Sequence, residues 1–168
     1  MQFFLIVVLV YILNRFIDKL EMFFYGNILL VKISLFLCIV SLFYFKKAFK
    51  YLYIVFLGIV LFLRDKGING YSRPLYFKEW IKIIFKNKVV FVNVIGNILM
   101  FIPLGYMLDG KMFTLKSLLL VAAIEVAQYL LKIGIFDYID MGLNLMGLII
   151  GKIIEVLYEG RQRYRRED

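Results

Sequence analysis

The sequence predicts an all-α fold: a polytopic membrane helical bundle of about six transmembrane helices plus one interfacial amphipathic helix. Three observations carry that expectation. Apolar residues make up 63% of the 168-residue chain, well above the roughly 45–50% of soluble domains. They fall in continuous runs bounded by charges, without the in-out alternation of a membrane barrel, so helices are the better reading. About 20 apolar residues make one crossing, so a chain of this length holds about six and leaves no room for a large extramembrane catalytic domain.

The expected spans, in order, are residues 2–17, 27–45, 48–63, 89–108, 113–133 and 141–158. The first lacks a basic leader, and Tyr11, Ile12, Leu13 and Asn14 stand where a cleavage site needs small residues. It therefore reads as an uncleaved helix, short enough that Arg15 must snorkel to the interface. The longest connection is 64–88. In its second half Phe77, Trp80, Ile81, Ile84 and Phe85 recur at helical spacing, while Lys78, Lys82 and Lys86 form an opposite stripe. Such a segment lies flat at the interface, either as a connector anchored by Trp80 or as a substrate gate.

Charge narrows the function classes. The net charge is +9, but the basic residues punctuate apolar runs, so they set topology and touch lipid headgroups; no nucleic-acid partner is expected. Lys and Arg divide equally between the two sides, so the positive-inside rule alone returns a tie. If Lys78, Lys82, Lys86 and Lys88 report the interface, the Arg-rich tail is cytoplasmic. Histidine is absent and Cys38 is the single cysteine, which excludes a Ser-His-Asp triad, any His-bearing metal site and an intrachain disulfide. No cofactor or metal site is expected. Cys38, inside an apolar run, reads as buried filler.

Polar groups inside the last three spans carry whatever chemistry the chain has, because an ionisable side chain at mid-bilayer costs about 2.5 to 3.5 kcal/mol and needs a partner or a purpose. In 89–108, Asn93 and Asn97 share a face, with Gly96 beside them; Pro103 and Gly105 loosen the helix end and free the carbonyl of Leu99. In 113–133, Glu125 and Gln128 share a face. Glu125 is too far from Lys132 along the helix, so its partner is expected elsewhere. It is either a structural group bonded to Asn93 or Asn97, or a functional carboxylate. In the last segment Asp140 and Asn144 are one turn apart at a helix start, where Asp137 or Asp140 could simply cap. Gly147 and Gly151 form a GxxxG pair, expected to pack closely against the Glu125 helix.

The run Asn93-Val94-Ile95-Gly96-Asn97-Ile98-Leu99-Met100-Phe101-Ile102-Pro103-Leu104-Gly105, then Glu125-x-x-Gln128, then Asp137-x-x-Asp140-x-x-x-Asn144-x-x-Gly147-x-x-x-Gly151, resembles the VanZ-like family of small membrane proteins. The likeness covers residues 93–151. The chain has Gly134 where the family commonly carries Arg, and Ile139 where it carries Asp, which thins an acidic cluster. The resemblance implies a multi-pass bacterial plasma-membrane protein of the cell envelope, in a family whose founding member is associated with low-level resistance to teicoplanin and related glycopeptides. It divides the chain into 1–88 without family motif, a core at 89–158 and a basic tail at 159–168.

Three functions compete. In the first, Asn93, Asn97, Glu125, Gln128, Asp137, Asp140 and Asn144 line a polar recess that binds the headgroup of an envelope lipid or lipid-linked cell-wall precursor. In the second, Glu125 and Asp140 are catalytic in an intramembrane lipid-modifying enzyme, sharing acid and base work or holding a hard divalent cation. In the third, the asparagines and glycines only assemble the bundle, and the tail touches a partner or anionic lipid.

Overall fold

The computed structural model describes residues 2–18, 27–63, 77–108, 112–133 and 137–167. Helices account for nearly all of them, and no strand occurs among them: α1 Gln2–Asp18, α2 Ile28–Tyr44, α3 Lys46–Phe62, α4 Phe77–Lys86, α5 Lys88–Met107, α6 Phe113–Leu130 and α7 Tyr138–Glu167. Six long helices lie where the charge-bounded apolar runs put them. Three are long and apolar enough to cross a membrane, over Val90–Met107, Phe113–Leu130 and Tyr138–Arg161. The expectation of six is met only that far. Helices α1, α2 and α3 have 17 residues each, about 25 Å at 1.5 Å per residue against a hydrocarbon core of about 30 Å.

The chain forms two compact units, residues 1–71 with 130–135 and residues 72–129 with 136–168. In the first, α2 and α3 make a hairpin joined at Phe45, whose N–H closes the last turn of α2 on the Ser41 carbonyl at 2.8 Å. Val31, Ser34, Cys38 and Ser41 recur at i, i+3, i+7 and i+10 and are buried, a narrow stripe of small side chains that lets the hairpin close. The serine hydroxyls donate one turn back, Ser34 to the Val31 carbonyl at 3.0 Å and Ser41 to that of Cys38 at 2.8 Å. Neither needs a partner on another helix. Cys38 is buried and unbridged. Lys32 pairs with Asp18, joining α2 to the end of α1.

In the second unit α5 and α7 pack along their length. Residue numbers rise together along the seam, Ile98 against Gly147, Ile102 against Gly151, so the two helices run parallel with α6 returning between them in sequence. The GxxxG face of α7 therefore meets the Pro103 helix, not the Glu125 helix. Only there does it face an equally small surface: a Cβ on Gly105 would fall 2.7 Å from the Cα of Leu148. Sequence spacing identified the sticky face but not which neighbour it met. Helix α5 continues past Pro103 to Met107.

Two element ends differ from expectation. Helix α6 stops at Leu130, and Lys132 takes a φ of 56°, the left-handed conformation that ends a helix. Helix α7 begins at Tyr138 and runs through the basic tail to Glu167, because Glu, Arg and Gln sustain a helix as well as apolar residues do. The short α4 is the expected amphipathic segment, with Ile81 and Phe85 exposed. The side chains of Phe77, Lys78 and Trp80 lie outside the described residues, as do segment 64–76, Gly134 and the tail's side chains beyond Arg161.

Candidate functional site

The site is built at the start of α7. Asp137 is its N-cap: the carboxylate Oδ1 accepts from the N–H of Ile139 at 2.8 Å, while its carbonyl takes the first helical bond from Met141 at 3.1 Å. Short acidic residues favour this position because they satisfy an orphan N–H and suit the positive end of the helix dipole. The capping role open to either aspartate thus falls to Asp137. Its own backbone N–H donates to Oε2 of Glu125 at 3.3 Å. Glu125 is 3% exposed, so this contact gives a carboxylate on α6 a hydrogen bond away from water. It also ties α6 to the start of α7.

Asp140, one turn further, is left to face α5, where Asn97 Nδ2 donates to its Oδ1 at 2.9 Å. Asn97 is buried. Helix rise places these groups in depth. Asn97 lies seven residues into the apolar stretch Val90–Met107 and Asp140 two residues into Tyr138–Arg161, about 10 Å and about 3 Å along their axes. Bonding them sets the start of α7 about 7 Å deeper than the start of that α5 stretch. Glu125 precedes the end of α6 by five residues, about 7.5 Å, which matches. A helix N-terminus bearing two carboxyl groups, and meeting a third on α6, is thereby recessed among apolar helices.

Asn144 completes the set, 3% exposed, with an Oδ1 that has no hydrogen-bond partner. It lies on the α5-facing side of α7, between the Asp140 bond and the Gly147 contact. Asn93 and Gln128 are half-buried on the faces that carry Asn97 and Glu125. Among the described residues no three His, Cys, Asp or Glu side chains come close enough to share a metal ion. Gly147, Gly151 and Gly105 are required by close backbone approach, whereas a Cβ on Gly96 would meet nothing within 4 Å. Packing does not demand glycine there.

Sequence reasoning passed over a second polar group at the far end of the α5–α7 pair. Lys152 forms an ion pair with Glu155, donates to the Leu108 carbonyl at 3.4 Å and lies 5.8 Å from the Phe113 ring centroid. Ser117 Oγ on α6 is fully buried without a partner. The signal was present, since two charges three residues apart interrupt the last apolar span. Charges at this spacing are equally compatible with a solvated edge, and only the contacts with Leu108 and Phe113 distinguish them.

The cap carries its own expectation. Asp137→Ala should cost about 1 kcal/mol in unfolding of the detergent-solubilised protein, and Asp137→Ser should recover most of it, since a hydroxyl caps nearly as well. Equal losses for both variants would show that the carboxylate acts by charge and not as a cap.

Against known protein families, curated proteins and solved structures, the chain finds no match in any of the three.

Proposed function

We propose that this is a VanZ-like, multi-pass protein of the bacterial plasma membrane, in which all six long helices cross the bilayer and the recess at the start of α7 binds the headgroup of an envelope lipid or lipid-linked precursor. One observation carries the reading: Glu125, Asp137, Asp140 and Asn97 gather at the start of α7, with Asn144 one turn further along it, where apolar packing alone gives no reason for them. The order of motifs over residues 93–151 supports the family, and its implied consequence is altered susceptibility to teicoplanin-type glycopeptides.

Helix α7 also bears on sidedness. It runs unbroken from Tyr138 to Glu167, so Asp140 and the arginines of the tail stand at opposite ends of one rod about 45 Å long. With Lys78, Lys82, Lys86 and Lys88 assigned to the interface, the positive-inside rule makes the tail cytoplasmic, and the recess then belongs to the outer leaflet, where cell-wall precursors are used.

Glu125→Gln tests the reading because it keeps the shape and an acceptor while removing the charge. Binding of envelope lipid by the purified full chain should fall about ten-fold, with normal abundance in the membrane. Unchanged lipid binding and drug susceptibility at normal abundance would remove the recess from the function. The Asn97–Asp140 bond favours a second reading, a bundle whose polar groups serve assembly alone. That reading predicts reduced abundance for Glu125→Ala and no other effect.

A further inference from the structure

Three features compete for attention outside the functions already drawn: the Lys152–Glu155 pair, the exposed apolar edge of α4, and the orphan oxygen of Asn144. The first satisfies itself through Leu108 and Phe113. Nothing in the structure shows what covers the second. The third points to a ligand. Asn144 Oδ1 is an acceptor with no donor, on a side chain 97% buried, and an acceptor shut away from water without a donor is costly to retain. Its residue lies on the α5-facing side of α7, one turn beyond Asp140, which accepts from Asn97, and one turn before Gly147, which packs on Ile98 and Phe101. Building on the headgroup-binding reading above, we propose that the group this recess receives is a primary ammonium, contributed by a membrane-anchored headgroup.

The chemistry of the site selects it. The charged side chains within two turns on α5, α6 and the start of α7 are all carboxylic acids, Glu125, Asp137 and Asp140, while Lys132, seven residues after Glu125, lies beyond the end of α6 and is exposed. The described basic groups of the unit stand further off: Lys88 is nine residues before Asn97, Lys116 nine before Glu125, and Lys152 twelve after Asp140. A phosphate would bring charge of the same sign and only acceptors to an orphan acceptor. A trimethylated ammonium brings the right charge and no N–H. A primary ammonium brings both, with three donors to share among Asn144 Oδ1 and neighbouring carboxylate oxygens. The recessed position suits a group tethered to acyl chains, which reaches this depth without leaving the bilayer. A bare metal ion fits less well, because no three acidic side chains converge tightly.

The test titrates the full chain in detergent with phosphatidylethanolamine, phosphatidylcholine and phosphatidylglycerol of identical acyl chains, reading bound lipid by native mass spectrometry. Phosphatidylethanolamine should bind at least ten-fold tighter than either. Asn144→Leu should erase that preference, while Asn144→Asp, which keeps an acceptor and adds charge, should keep or raise it. If the leucine variant does not elute as folded protein, the aspartate variant decides. A second arm uses a lipid-anchored lysine peptide: binding tighter than phosphatidylethanolamine assigns the ammonium to a lipid-linked precursor, and weaker binding to a bulk lipid. Equal binding of all three phospholipids, or a preference for phosphatidylglycerol, overturns the proposal. If that indifference comes with weakened binding of every lipid by Glu125→Gln, only the ammonium is lost. If Glu125→Gln changes nothing either, the headgroup reading falls with it.

Discussion

Gly151→Leu is expected to abolish the folded second unit. A Cβ at this position would fall on the carbonyl oxygen of Ile102 and 2.7 Å from the backbone nitrogen of Tyr106, and neither atom belongs to a side chain that can turn aside. The helices must part, and with them the contacts of Phe101 and Leu148, both wholly buried at the seam. Overpacking ordinarily costs about 1 to 3 kcal/mol; a backbone collision that unzips two helices should exceed about 4 kcal/mol, in the range that marks a distinct mechanism. Unfolding in detergent, followed by circular dichroism, measures it. Gly147→Leu should behave alike, since its Cβ would meet the Ile98 carbonyl and fall 2.8 Å from Phe101 Cβ. Gly96→Ala, with open space around it, should leave stability within about 0.5 kcal/mol. Tolerance of Gly151→Leu would mean that α5 and α7 do not pack as described.

The second large effect is expected at Asn97 and Asp140. An amide donating to a carboxylate is a charge-assisted bond worth about 1.5 to 3 kcal/mol, and removing Asp140 takes this acceptor from the buried Asn97. Asn97→Leu and Asp140→Leu should each destabilise by about 2 kcal/mol or more, and the double variant by about 1 to 2 kcal/mol less than the sum. Asp140 should be the costlier single change because its carboxylate also faces the positive end of α7. The same denaturation measurement serves. Additivity within about 0.5 kcal/mol would show that the two groups do not depend on one another. Strong coupling would establish the anchor that holds α7 recessed against α5, the feature on which a headgroup at this depth relies.

Much of this architecture was legible in one dimension, for identifiable reasons. The apolar runs gave helix positions because charges are excluded from them, and the Ile81 and Phe85 stripe marked α4 because its period is helical. The stop at Leu130 was not legible, since Leu131, Lys132 and Ile133 are compatible with continued helix and only the left-handed Lys132 ends it. Glu125 was visible as a residue needing a partner. That the partner includes a backbone N–H, at Asp137, was invisible, because side-chain patterns do not announce which amides a chain reversal leaves unpaired. Lys152 and Glu155 carried no reading in sequence because i,i+3 charges look alike whether water or a second helix covers them.

By itself, the sequence determined composition-driven facts: an all-helical chain, an amphipathic segment, a C-terminal half rich in polar groups and glycines, and the absence of histidine chemistry. These follow from local periodicity and from the cost of exposing or burying each residue type. The tertiary structure alone decided that the glycine seam joins α5 to α7, that Asp137 caps while Asp140 reaches Asn97, and that Asn144 keeps an acceptor without a donor. Such pairings depend on which faces meet and at what axial offset, and side-chain spacing within one helix holds no record of its neighbour.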